Sequence, residues 1–185
     1  MVIATGFFDG VHLGHRFILR QLVEEARRRN DESMVVTFWP HPRNVLQDDA
    51  RNLRLLTSMG EKKALIRSIG VDHIEVIPFT KEFCRLSAEE YLRDYIVGKF
   101  GGKAILVGYD NRIGSDQCTP EQTAEIARRI GLDVIRPERF VSDAGIVISS
   151  TKIRNSLQTG DIEEADSMLG YQYQLYGVVV SGNRL

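Results

Sequence analysis

Short apolar runs alternate with amphipathic stretches along this sequence, in an order that few folds satisfy. Residues 2–5, 34–38, 74–77, 104–107 and 133–135 are apolar or β-prone runs too short to be helices. The stretches between them have helical period. Ile18, Leu19, Leu22, Val23 and Ala26 share one face of the first, and a second lies at 61–69. Ser87 and Glu90 form a capping box that opens a third, with Leu92 and Ile96 facing inward. Thr119, Pro120 and Gln122 give the start of a fourth, with proline at the first helical position, and it ends near Gly131. This alternation predicts an α/β fold, a doubly wound parallel sheet with helices on both faces. Ligands of such sheets sit at the carboxyl ends of the strands, beside the point where strand order reverses.

Two segments depart from the pattern. Residues 140–149 read as a hairpin or extended excursion around Ala144-Gly145. A helix at 163–169 ends at Gly170, and the β-prone stretch 174–180 follows it. A lone strand is marginal, so that stretch either joins this sheet or begins a second domain.

Composition removes several classes of function. With 24 basic against 25 acidic side chains the net charge is −1, too little cationic surface for broad nucleic-acid binding. Arg27-Arg28-Arg29 reads as the solvated end of a helix, where cations suit the dipole. No apolar run reaches the roughly 18–20 residues that span a bilayer. The start of the sequence carries no basic leader with an apolar core. A cytoplasmic protein without membrane partners is expected, with Cys84 and Cys118 as isolated thiols.

The chemistry concentrates in Gly6-Phe7-Phe8-Asp9-Gly10-Val11-His12-Leu13-Gly14-His15, between the first strand and the first long helix. Glycines there allow a sharp turn and close approach of backbone to a ligand. The helix start offers free N–H groups and partial positive charge to a phosphate. His12 and His15, three residues apart, lie on one side of that first turn, able to donate to charge that builds in a transition state. The spacing of Gly6, Gly10 and Gly14 does not fit a dinucleotide fingerprint. Gly101-Gly102-Lys103-Ala104 lacks what a P-loop needs, and the two histidines lack further partners for zinc. Later, Ser149-Ser150-Thr151 places hydroxyls at a helix start, with Arg154 one turn on, able to clamp phosphate oxygens. Pro40 and Pro42 stiffen a loop after the second strand, where Phe38 and Trp39 offer apolar surface to a flat ring.

The His12-Leu13-Gly14-His15 string after a strand resembles the signature of the nucleotidylyltransferase superfamily, whose fold is Rossmann-like. The longer Gly-x-Phe-Asp-Gly-Val-His-x-Gly-His string is similar to one member, the FMN adenylyltransferase (FAD synthetase) domain of bacterial bifunctional riboflavin kinase/FAD synthetases. Phe38-Trp39-Pro40-His41-Pro42 resembles that family's Phe-x-Pro-His-Pro segment. Further matches are Leu56-Thr57-Ser58 with Glu61-Lys62, and Leu86-Ser87-Ala88-Glu89-Glu90-Tyr91. Val107-Gly108-Tyr109-Asp110-Asn111-Arg112-Ile113-Gly114 resembles the nucleotide-side loop, although Asn111 and Ile113 stand where aromatics are common. Ile148-Ser149-Ser150-Thr151-Lys152-Ile153-Arg154 is similar to the second superfamily motif. Residues 174–185 resemble the opening strand of the riboflavin kinase domain. The implied division is therefore an adenylyltransferase domain at 1–170 and the start of a kinase domain at 171–185. No kinase activity is expected from this sequence.

The resemblance implies that ATP, with Mg2+, and FMN are substrates and that FAD and pyrophosphate are products. It implies catalytic roles for His12, His15 and Arg154. Substrate contacts are implied for Gly6, Phe7, Phe8, Asp9, Gly10, Gly14, Phe38, Pro40, Pro42, Gly108, Asp110, Ser150 and Thr151. Asp9 is expected to brace the turn or orient a histidine rather than ligate metal. Three rivals stay open: a sister transferase using phosphopantetheine or a mononucleotide, a class I tRNA synthetase fragment, and a nucleotide- or flavin-binding module without catalysis. The Pro40-His41-Pro42 segment disfavours the first, and the hydroxyl run with Arg154 the second.

Overall fold

The computed structural model describes residues 1–42, 45, 53–109, 111–138, 140, 148–175 and 177–179. Five parallel strands form one sheet in the order β3-β2-β1-β4-β5. They are β1 Val2–Thr5, β2 Ser33–Trp39, β3 His73–Pro78, β4 Ala104–Leu106 and β5 Asp133–Ile135. β1 pairs on one side from Val2↔Ser33 to Thr5↔Val36 and on the other from Val2↔Ala104 to Ala4↔Leu106. The chain winds outward from β1 in one direction and then restarts at β4 in the other. The switch point therefore lies between β1 and β4.

Alternate residues of these strands serve two separate cores. Val2, Ala4, Val35 and Leu106 pack against Leu19, Leu22, Val23 and Ala26 of α1 (Leu13–Arg28) and Ile66 of α2 (Met59–Ser68). Ile3, Met34, Val36 and Ile105 face the other layer, with Leu92, Ile96 and Ala127. That layer holds α3 (Ala88–Glu90), which runs on into a π-helical segment Tyr91–Lys99, and α4 (Pro120–Arg129). Burial on both faces is why the strands read as continuous apolar runs rather than alternating ones. The expected capping boxes Ser87–Glu90 and Thr119–Gln122 are both closed, and Ser58 with Glu61 adds a third.

A third, smaller cluster joins α5 (Ser150–Thr159) and α6 (Ile162–Leu169) through Ile153, Ala165, Met168 and Leu169, with Leu56 packed onto it. These helices lie beyond the sheet proper, and they carry the second motif. Of the 140–149 excursion, residues 141–147 lie outside the described residues. In the tail, residues 172–175 and 177–179 hold no strand, and Leu175, Val178 and Val179 are 85%, 88% and 99% exposed. Arg28 and Arg29 close onto Glu25, and Arg29 also reaches Asp133, so the basic cluster is a paired helix end. Cys84 and Cys118 are free thiols. Among the described residues no helix is long and apolar enough to cross a membrane.

Candidate active site

β1 ends at Thr5, and the next six residues turn tightly to deliver His12 to the start of α1. Gly10 adopts φ 77°, and a Cβ there would lie 2.7 Å from a Leu56 methyl, so the position requires glycine. Phe8 and Val11 also sit at positive φ, 52° and 38°, a conformation that costs non-glycine residues on the order of 1 kcal/mol or more each. Asp9 holds this turn shut. Its carboxylate accepts the Leu56 N–H at 3.0 Å and the Thr57 N–H at 3.3 Å, and it pairs with Arg154 Nη2 at 2.6 Å. Asp9 thus braces the turn, the first of the two roles expected for it.

His12 is the N-cap of α1: its Nδ1 accepts the His15 backbone N–H at 3.3 Å. That bond leaves Nε2 as the site of the proton on a neutral His12. The two imidazoles stack, with centroids 3.6 Å apart and planes 16° from parallel. Burial, more than any nearby charge, pushes His12 down to about 4, against the pull of Asp9. Burial also drives His15 well below the usual histidine range, helped by His12 and Lys62. At neutral pH each ring is therefore an uncharged donor.

This arrangement has a consequence for stability. The folded pKa of His12 lies below the unfolded one, so between about 6.5 and 4 the unfolded chain binds more protons. Stability is complete above that window and is lost as pH falls through it, by on the order of 3 kcal/mol from His12 alone. Thermal melts at pH 7 and 4.5 should show a smaller acid loss for His12→Gln than for the wild type. Equal losses would mean that His12 is not held neutral by burial.

Three adjoining cavities meet at this turn. The first, about 530 Å³, opens at the switch point and is lined by Gly6, Phe7, Phe8, His12, Gly14 and His15 from the β1–α1 junction. Gly108 and Tyr109 after β4, and Ser149, Ser150 and Thr151 at the start of α5, close its other side. Two helix N-termini thus converge on one cavity, the arrangement that suits a polyanion. Ser149 caps α5 by accepting the Lys152 N–H, and Ser150 Oγ donates to the Asp9 carbonyl at 3.0 Å.

The second cavity, about 430 Å³, is apolar and aromatic. Phe38, Pro42, Phe79, Phe83, Tyr91 and Ile113 line it, and it shares Thr5, Gly6, Phe7 and Asn111 with the first. Its rings meet edge-on, as Phe83 does with Tyr91 at 87° and Phe38 with Phe79 at 76°. The Tyr91 hydroxyl is tied to Thr5 Oγ1 at 2.7 Å. The third cavity, about 220 Å³, is lined by Asp9, His15, His41, Ser150, Thr151 and Arg154, among others.

Most of the expected site residues therefore come together. Gly10, Trp39 and Pro40 line none of the three cavities, and Trp39 is 46% exposed. Asp110 lies outside the described residues. Arg154 borders the third cavity but spends its Nη2 on Asp9 and its Nε on the Arg54 carbonyl. A guanidinium has five N–H donors, so others remain for a ligand. Phe79 and Phe83 are the residues that sequence reasoning passed over. Their signal was two aromatics four apart directly after β3, with no motif around them.

A model of the FAD synthetase family matches residues 1–152. Bifunctional riboflavin kinase/FMN adenylyltransferases of Listeria monocytogenes and Escherichia coli are 33% and 34% identical over 185 residues. Those alignments cover 99% and 100% of this chain but 58% of each relative, so the chain spans somewhat more than half of their length. A solved structure described as a macrolide-efflux protein from Streptococcus pneumoniae shares the fold at a TM-score of 0.79 and 28% identity. The likeness covers 93% of this chain and 65% of that one. With the family model covering both the histidine turn and the hydroxyl run that line the first cavity, the chain belongs to the FAD synthetase family.

Proposed function

We propose that this chain transfers AMP from ATP to the phosphate of FMN, releasing pyrophosphate and forming FAD. The observation that carries the reading is the pair of adjoining cavities, one of mixed lining faced by two helix starts, one aromatic, joined across Gly6 and Phe7. ATP would occupy the first, with its triphosphate toward His12, His15, Ser150 and Thr151. The flavin ring would lie in the second, against Phe38 and Pro42, with Gly108 on the nucleotide side. The FMN phosphate oxygen attacks the α-phosphorus in line, a new P–O bond forms, and the bond to the pyrophosphate oxygen breaks. The nucleophile is already anionic, so neither His41 nor any other base is required.

Catalysis on this reading is positioning plus stabilisation of charge on the pentacoordinate phosphorus. His12 and His15 supply neutral donors, α1 and α5 supply their N-termini, and Arg154 steadies the departing phosphates. A magnesium ion would supply the counter-charge of the triphosphate. Among the described residues the one carboxylate bordering the third cavity, Asp9, is engaged by Arg154. We also take 1–170 as the adenylyltransferase unit and 171–185 as the lead into a kinase domain. The exposure of Leu175, Val178 and Val179 supports that division.

The test mixes the purified chain with ATP, magnesium and FMN and follows FAD and pyrophosphate by chromatography. FAD with equimolar pyrophosphate is the expected result. Flavin binding without turnover would favour a non-catalytic module, and no flavin binding would turn the search to other phosphorylated acceptors.

A further inference from the structure

Lys62 is the one buried lysine among the described residues, with 1% of its surface exposed. It lies one turn before Ile66 on the face of α2 that packs inward. Its Nζ has no hydrogen-bond partner and stands 3.6 Å from the centre of the Phe7 ring. Phe7 is the only described residue that lines all three cavities, and His41 meets the same ring at 3.9 Å. Asp9 and His15 also feel the ammonium, and both border the third cavity. Lys62 thus stands against the ring that borders all three spaces.

A lysine in such a place is a poor structural plug. A buried ammonium without a carboxylate or carbonyl partner loses hydration that the fold does not return, and methionine would fill the same slot without that cost. Burial pulls Lys62 down to about 8, which still leaves it charged at neutral pH. A charge retained behind a ring and beside a phosphate-sized polar cavity is suited to attracting anions, because its field is little screened there. The cation also holds the ring face of Phe7 in one orientation.

We propose that Lys62 is a positioning residue for the nucleotide phosphates, fixing Phe7 at the junction of the cavities and giving the third cavity a positive bias. The identity of the substrates rests on the adenylyltransferase reading above. The ligand chemistry is that of a triphosphate or pyrophosphate.

The test is calorimetric titration of the wild type and Lys62→Met with magnesium-ATP, pyrophosphate and adenosine, alongside thermal melts. Loss of the charge should weaken ATP and pyrophosphate by about tenfold, leave adenosine nearly unchanged, and hold or raise the Tm. Unchanged affinity for all three ligands would overturn the assignment. So would a parallel loss of all three with a lowered Tm, the mark of a packing role. If the wild type forms no FAD from ATP and FMN yet the anion-selective loss is seen, the FMN reading fails and the role of Lys62 stands.

Discussion

His15→Ala is expected to lower the turnover of FAD formation by about 10² or more, while the KM for ATP changes far less. The position of the ring argues for the size of this effect. His15 borders both the triphosphate-sized cavity and the smaller polar one, whereas His12 borders only the first. Stacked at 3.6 Å, the two imidazoles would repel each other if both were charged, and their lowered pKa values keep them neutral. A neutral donor does not bind ground-state phosphate as an ammonium would. Its worth appears when charge grows on the reacting phosphorus, so the loss falls on kcat. His12→Ala should show a comparable loss, compounded by removal of the α1 cap, a change worth about 1 kcal/mol of stability. His15→Asn, which restores an N–H donor, should recover part of the rate. Steady-state kinetics of the three variants, with melts as the control for folding, decide the matter. Wild-type turnover in both alanine variants would remove the histidines from the mechanism.

The parts of this site that were legible in the sequence are those fixed by local chemistry. The strands are short apolar runs because both faces of the sheet are covered, and the Ser87–Glu90 and Thr119–Gln122 boxes close over four residues each. The histidine turn and the hydroxyl run were legible because each contains its own geometry. What was not legible depends on contacts far apart in the chain. Asp9 finds Arg154 across 145 residues, so its bracing role could be narrowed only to two choices. The aromatic cavity draws Phe38 from β2, Phe79 and Phe83 from the segment after β3, and Ile113 from a turn bridged to Cys118. The π-helical segment follows the capped turn of α3 and ends with the Phe100 N–H bonded to the Tyr95 carbonyl, and no residue in it announces that change of pitch. Lys62 is the clearest case. A lysine on an amphipathic helix reads as solvated, and only the packing of α2 beneath Phe7 buries it.

Asp9→Ala should destabilise the fold by about 3–5 kcal/mol, a fall in Tm of roughly 6–20 °C for a chain of this size. Asp9 is 3% exposed, and its carboxylate is the common acceptor of two backbone N–H groups and one guanidinium. Alanine would leave all three donors buried without their acceptor. The neighbouring bonds depend on the same turn: Gly10 N–H to Thr57 Oγ1, Ser150 Oγ to the Asp9 carbonyl, and the Tyr171 hydroxyl to the Gly10 carbonyl. Losing the carboxylate therefore loosens the contact between the β1–α1 turn, the Leu56–Thr57 segment and the start of α5, which together carry both motifs. Arg154→Met removes the half-buried cation that Asp9→Ala would leave unpaired, so the double variant should be less destabilised than the sum of the two single changes. A coupling of about 1–3 kcal/mol in a double-mutant cycle is the expected measure. Additive losses would mean that the pair seen at 2.6 Å contributes no coupling, and that Asp9 acts through the backbone N–H groups alone. Asp9→Asn separates those terms further, because it keeps an oxygen for Leu56 and Thr57 while removing the charge opposite Arg154. If the ion pair dominates, Asn behaves like Ala; if the backbone bonds dominate, Asn recovers most of the stability.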